Sequence, residues 1–166
     1  MADHFARQSL FSQEYSIKYK VPLSHLRAKL KQNTKTILSH KWENSIKARD
    51  THEFIPSLPP PKHFINLEHN HKLTQVLTGH CRLNMYLNYI GVVENPACRC
   101  EEYVETVDHY LFCCKLENTN RVNTLIKSCF EQGIPFPPPK HLLIDNEHIF
   151  RALLAFLSAS SRLDFD

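Results

Sequence analysis

Apolar positions recur at helical spacing through most of this chain. Leu23, Leu26, Leu30 and Ile37 fall on one stripe of period 3.6, and Leu38, Trp42 and Ile46 on a second, rotated well round the axis. One straight helix cannot bury both stripes against one partner. The pattern therefore predicts a bend or break near Thr36–Ser39, or a helix that contacts two surfaces. Ser24 is placed to cap this helix, which His25, Leu26 and Arg27 open. Ahead of it, Ala2–Phe11 reads as a short helix, and Tyr15–Val21 alternates as an extended segment would until Pro22 stops it. A helix that starts at the first residue is expected of a piece of something longer.

Thr51–Asn66 carries Pro56 and Pro59–Pro61 with little periodicity, which predicts either a linker of polyproline character or a rigid loop packed over the core. From Leu67 the helical pattern returns with Leu73, Val76 and Leu77, and Gly79 is its expected C-cap. Leu83, Leu87 and Ile90 form a second short helix that ends at Gly91. Thr106 caps a helix carrying Val107, Tyr110 and Leu111. Asn118–Gln132 continues helically with Val122, Leu125, Ile126 and Phe130 up to Gly133. After Pro135 and Pro137–Pro139, Asp145 is placed to cap a last helix whose buried stripe is Ile149, Ala152, Leu153, Phe156 and Leu157. Three glycines against ten prolines disfavour hairpin-rich β architecture. The fold class is thus mainly α: a small helical domain with a candidate zinc-stapled turn, preceded by a basic helix and a proline-rich linker.

The 166 residues suffice for one domain with a sizeable core, and 42% hydrophobic content argues against disorder throughout. The net charge of +3 is unevenly spread. Between Ser16 and Asp50 stand nine Lys and Arg, among them Lys29, Lys31, Lys35 and Lys41, against Glu43 and Asp50. Polyanion binding is one reading of that segment, and a solvated helix face is the other. The N-terminus has no apolar signal-peptide core, and no run approaches the roughly 18 apolar residues of a membrane span. A reducing intracellular compartment, nuclear or cytoplasmic, is therefore expected, and there clustered thiols point toward metal rather than disulfides.

The cluster is Cys98 and Cys100, then His109, Cys113 and Cys114, inside seventeen residues. These are the soft and borderline donors that a tetrahedral Zn²⁺ takes. The one-residue spacer between Cys98 and Cys100 requires a tight turn, and two-residue spacers are the commoner zinc arrangement. On a regular helix His109 and Cys113 are offset by about 40° and share a face, whereas Cys114 lies about 140° round. Cys114 can join the others only where the helix ends or distorts, so regular geometry favours Cys113. Three thiolates and one imidazole would make a closed, structural site without a hydrolytic role. The alternative is that Cys113 and Cys114 are buried core thiols and His109 an ordinary helix-surface histidine.

Leu77-Thr78-Gly79-His80-Cys81-Arg82-Leu83-Asn84, then Pro96-Ala97-Cys98-Arg99-Cys100, then Glu105-Thr106-Val107-Asp108-His109-Tyr110-Leu111-Phe112 and Cys114 together resemble one segment of non-LTR retrotransposon polyproteins. In that family a segment following the reverse transcriptase and ribonuclease H domains reads R-T-G-H…L-N, then C-x-C-G, then E-T-x-x-H-x-L-x-x-C. The agreement runs over residues 73–114, about a quarter of the chain. Met1–Ser9 looks like the last helix of a ribonuclease H domain, with Asp3 at its final catalytic carboxylate, and Pro22, Leu23, Ser24 and Trp42 are similar to the basic connector that follows. The resemblance implies that the fourth donor is Cys114, with Cys113 as the alternate. Glu101 stands where the family has glycine, which makes the turn less easy.

The resemblance divides the chain into a ribonuclease H remnant (1–12), a basic helical connector (13–50), a proline-rich linker (51–66), a Cys/His helical domain (67–133) and a C-terminal proline loop with helix (134–166). It implies a zinc-knuckle-like module that binds RNA or DNA without sequence preference, through Lys29, Lys31, Lys35, Lys41 and Arg82. Tyr103, Tyr110 and Phe112 are the stacking candidates near the cluster, with core packing favoured for Phe112. Two-metal phosphodiester hydrolysis needs several converging carboxylates. Asp3 alone aligns, so the isolated chain is expected not to cleave RNA even though its N-terminus looks ribonuclease H-like. The alternative function is a degenerate or domesticated helical fragment that binds protein and holds no metal.

Overall fold

The computed structural model describes His4 and residues 21–65 and 70–164. The expected helix at Ala2–Phe11, the extended segment before Val21 and the carboxylate of Asp3 lie outside the described residues, apart from His4. The chain divides into two compact units, residues 1–36 and 37–166. Among the described residues the structure is helical, with a single antiparallel bridge between Ala97 and Val104 as its only extended pairing.

In the first unit, residues 21–36 are all exposed. They contain the larger part of α1, Leu23–Glu43, a single uninterrupted helix that buries no residue. It starts at Leu23, with the amides of His25 and Leu26 donating to the carbonyl of Pro22. Ser24 therefore lies inside the first turn and does not cap it: the proline both stops the preceding segment and supplies the first carbonyl. No break occurs at Thr36–Ser39, and Thr36 Oγ1 donates back to the carbonyl of Gln32 at 3.1 Å.

In the second unit, the C-terminal turns of α1 are fastened by Trp42. Its indole N–H donates to the carbonyl of Ile55 at 2.7 Å, and its ring packs on the core. Of the second predicted stripe only Trp42 is so engaged. Leu38 is exposed, and Ile46 lies beyond the helix in solvent. Residues 49–65 carry α2 (Arg49–Phe54) and α3 (Lys62–Ile65), bury Phe54 and Ile55, and set Leu58 and Phe64 against the core, as the packed-loop alternative anticipates.

α4 (His71–Thr78) is capped by Asn70, whose side chain accepts from the Leu73 amide, and ends on Gly79 at φ 70°, where a side chain would be strained. α5 covers Asn84–Tyr89. A long helical run follows the Cys/His segment: α6 (Asn118–Arg121), a π-helical turn over Val122–Ile126, and α7 (Lys127–Glu131). The wide turn shifts the buried face. Arg121, Leu125, Ser128 and Cys129 point inward, while Val122 and Phe130 of the expected stripe are in solvent. A 3.6-residue reading cannot register an inserted π turn.

α8 (Leu142–Asp145) precedes α9 (Glu147–Ala159). The cap of α9 is Asn146, accepting from the amides of His148 and Ile149, and Asp145 closes α8 instead. Ile149, Leu153, Phe156 and Leu157 are fully buried, as their spacing predicts, and Phe150 joins them. They pack on Tyr110, Leu111, Leu125 and Ile144; the rings of Tyr110 and Phe156 lie 5.3 Å apart. Burying each such side chain contributes about 1.5–3 kcal/mol. This core supports the cluster from below, since Tyr110 and Leu111 sit in the same turn as His109.

Candidate metal centre

A short knuckle brings the first two thiols together. The Ala97–Val104 bridge is flanked by two backbone hydrogen bonds, from Cys98 N to Tyr103 O at 2.8 Å and from Glu105 N to Pro96 O at 2.9 Å. Asn84 Nδ2 ties the knuckle to α5 by donating to Ala97 O at 2.6 Å. Between its arms the amide of Glu101 donates to Cys98 O, which folds Cys100 back beside Cys98. That turn puts Glu101 at φ 65°, in the left-handed region that costs an L-residue about 1–2 kcal/mol. The family's glycine is therefore missing at a position whose backbone needs one. Glu101→Gly should raise stability by about 1 kcal/mol, read as a higher urea midpoint at unchanged slope, because glycine takes this conformation without a Cβ clash. A decrease would mean that the Glu101 side chain contributes more than its backbone strain costs.

The second pair of donors depends on an irregular helix. Thr106 Oγ1 accepts from the His109 amide at 3.0 Å, as its expected capping role requires. From His109 to Cys113 the chain then winds as a π-helix, and the Cys114 amide donates to His109 O at 2.7 Å. An i→i+5 bond sets residues five apart in register, which a regular α-helix does not. At Cys114 the backbone leaves the helix with ψ 123°. The helix both distorts and ends there, which are the two conditions under which Cys114 can reach His109. Cys113 points into solvent.

The side chain that holds this ending is Arg121. It is 3% exposed, and its guanidinium donates to Leu111 O at 2.8 Å, Cys114 O at 2.8 Å and Tyr110 O at 3.3 Å. These are carbonyls that a helix terminus would leave without partners.

Cys98, Cys100, His109 and Cys114 are consequently all buried, with their donor atoms within 4.8 Å of one another. Cys98 Sγ lies 3.6 Å from Cys114 Sγ, and Cys100 Sγ lies 3.3 Å from His109 Nε2. A tetrahedral zinc with bonds of about 2.0–2.3 Å has donor–donor edges of about 3.5–3.8 Å, which these two separations approach. Both sulfur–sulfur and sulfur–nitrogen separations are close to those edges. The sulfurs are also well beyond the roughly 2.05 Å of a disulfide.

The donors differ in how readily they ionise. Burial pushes the Cys98 thiol up to about 12, and the amide of Glu102 holds the Cys100 thiol below its usual range. Burial also lowers the pKa of His109, which favours the neutral imidazole that metals bind. A divalent ion is the charge that would make three neighbouring thiolates stable in so buried a place.

Two further residues escape a reading by donor type. Glu105 is buried, and both of its carboxylate oxygens accept from the Arg162 guanidinium, the Nε bond being 2.7 Å. Its Oε2 also accepts from the Asn84 amide at 2.7 Å, and its Oε1 lies 3.7 Å from Cys98 Sγ. Glu105 opens the E-T-x-x-H motif, so its place in the resemblance was the available signal; Arg162, 57 positions away, gives none. Among the predicted nucleic-acid contacts, Lys29, Lys31, Lys35 and Lys41 are exposed on α1. Arg82 is separate from them in sequence and donates to Asp164 O at 2.7 Å. Of the aromatic candidates, Tyr103 alone is exposed. It lies with its ring 5.6 Å from that of His109, while Tyr110 is in the core and Phe112 packs edge-on to Phe136.

The fold and this cluster define a helical protein with a buried Cys₃His set that can hold a metal ion. The chain is similar to the retrovirus-related Pol polyprotein from type-1 retrotransposable element R1 of Bradysia coprophila, with 38% identity over 76 residues, 46% of the chain. It is 29% identical over 85 residues, 51% of its length, to the corresponding protein from element R1 2 of Nasonia vitripennis. The matched regions span 8% and 21% of these relatives. Homology to R1 Pol polyproteins supports an origin in a non-LTR retrotransposon polyprotein. No protein-family model and no solved structure matches the chain.

Proposed function

We propose that this chain is the zinc-stapled, nucleic-acid-binding segment of a retrotransposon polyprotein. The observation that carries the reading is the convergence of four buried donors within 4.8 Å of one another in a chain whose relatives are retrotransposon Pol polyproteins. Cys98, Cys100, His109 and Cys114 would hold the zinc, whose bound charge offsets the repulsion among the thiolates. Four protein donors leave no position for water, so the ion staples the knuckle to the π turn and takes no part in hydrolysis. With three thiolates the centre would carry one net negative charge, and the Arg121 guanidinium, held against Cys114 O, is placed to offset it. The domain boundaries proposed from the sequence follow from this reading, with residues 67–133 as the metal module and 13–50 as the basic connector. Retention of free thiols fits a nuclear or cytoplasmic location, and no helix among the described residues is long and apolar enough to cross a membrane.

Nucleic acid would be gripped through its phosphates by Lys29, Lys31, Lys35 and Lys41 of α1 and by Arg82, without reading sequence. Tyr103 offers one exposed ring for a stacked base. The test is fluorescence anisotropy of labelled single-stranded RNA and DNA against salt. Replacing all four lysines by glutamine should weaken binding at low salt at least tenfold and flatten the log K–log[salt] slope by about 3, at roughly 0.7 per phosphate on a single strand. Unchanged affinity and slope would remove α1 from the interface.

A further inference from the structure

Two features of the molecule are left without a partner by the reading above, and their chemistry is complementary. The first is the leucine stripe of α1. Leu23, Leu26 and Leu30 are 45–66% exposed on an uninterrupted helix, flanked on the wheel by Arg27 and Lys29. The second is an apolar groove of about 640 Å³ in residues 50–140, lined by Phe54, Val76, Leu83, Met85, Tyr89 and Val104. Met85, Tyr89 and Val104 are exposed along its mouth. Its wall is acidic. Asp50 makes no ion pair among the described residues, and Asp108 shares the single ammonium of Lys140 with Glu53.

We propose that the leucine face of α1 from one copy of this chain seats in this groove of a second copy. An amphipathic helix laid in an apolar groove is a common recognition mode, with anchors at i, i+3 and i+7 as in Leu23, Leu26 and Leu30. The basic flanks of the stripe meet the acidic wall of the groove, and that match of charge selects this helix as occupant. Pairing of two α1 helices with each other is the less suitable use of the stripe. Its apolar seam is interrupted by Asn33 and His40 and falls short of the three to four heptads a coiled coil needs. Lys35 lies about 120° from the nearest leucine of the stripe and stays available to phosphate.

Sedimentation velocity on the full, zinc-loaded chain without nucleic acid tests this. The wild type should self-associate with rising concentration. A chain with Leu26→Asp and Leu30→Asp keeps its groove but loses its helix face; a chain with Met85→Asp and Tyr89→Asp keeps its helix face but loses its groove. Each should be monomeric alone, with unchanged zinc content and helicity because all four positions are exposed. Mixed in equal amounts, the two should form a complex of twice the monomer mass, since one supplies the helix and the other the groove. A monomeric wild type overturns the proposal, and so does self-association of the Met85→Asp/Tyr89→Asp chain, which would mean helix-to-helix pairing. Failure of the mixture to associate overturns it equally.

Discussion

Cys98→Ser and Cys114→Ser are each expected to strip the zinc and lower stability by at least about 4 kcal/mol, a fraction of the roughly 10–16 kcal/mol that structural zinc contributes in finger peptides. The whole of that energy is not lost, because the core of α9, Leu125 and Tyr110 is built from apolar contacts that need no metal. Helicity should therefore fall in part, over the knuckle and the π turn, while much of the core melts later. The discriminating control is Cys113→Ser. That thiol is exposed and outside the cluster, so its loss should cost less than about 0.5 kcal/mol. Native mass spectrometry for zinc stoichiometry, with thermal melts followed by circular dichroism, reads both quantities. Chelation of the wild type should reproduce the Cys114→Ser melt. If Cys113→Ser removes the metal and Cys114→Ser does not, the fourth donor has been assigned to the wrong sulfur. If none of the three variants changes metal content, the cluster is a group of core thiols.

Arg162→Met should cost about 3–5 kcal/mol, the range for removing one partner of a buried ion pair. The side chains of Arg162 and Glu105 are 15% and 3% exposed, so water cannot solvate the carboxylate left behind. That carboxylate is also 3.7 Å from Cys98 Sγ, so an uncompensated charge there would oppose the thiolate as well as the fold. At a few degrees per kcal/mol, the melting temperature should fall by about 10 °C or more. Arg162→Met combined with Glu105→Gln should recover much of the loss, because the double variant buries no net charge. A double-mutant cycle measures that coupling directly. A cost under about 1 kcal/mol for Arg162→Met would class the pair with surface ion pairs and remove it from the support of the cluster.

Arg162 and Arg121 serve the cluster from different distances. Arg121 lies seven residues past Cys114 and holds the end of its turn by three carbonyls, so it is part of the local machinery that makes the π register. Arg162 comes from beyond α9 and reaches Glu105 only because the helical core returns the chain to the knuckle. The same return brings the C-terminal segment to α4, where Lys72 Nζ donates to Ser160 O and pairs with Asp164 at 2.6 Å.

The sequence by itself determined the helices that became α4 and α9, the stop at Gly79, the buried stripe of α9 and the candidacy of Cys98, Cys100 and His109, because each is a local pattern of apolar spacing, backbone freedom or ligand type. It also carried the tension between Cys113 and Cys114, which regular geometry and the family resemblance resolved in opposite senses. Only the tertiary structure puts Cys114 inside the cluster and Cys113 in solvent. The i→i+5 turn that aligns it with His109 is held by Arg121, and no 3.6-residue pattern encodes such a turn. Tertiary structure likewise decided that Val122 and Phe130 face water, that Asn146 rather than Asp145 caps α9, and that α1 runs unbroken with its leucines uncovered. In each case the deciding interaction joins residues whose proximity depends on packing, which a one-dimensional periodicity does not contain.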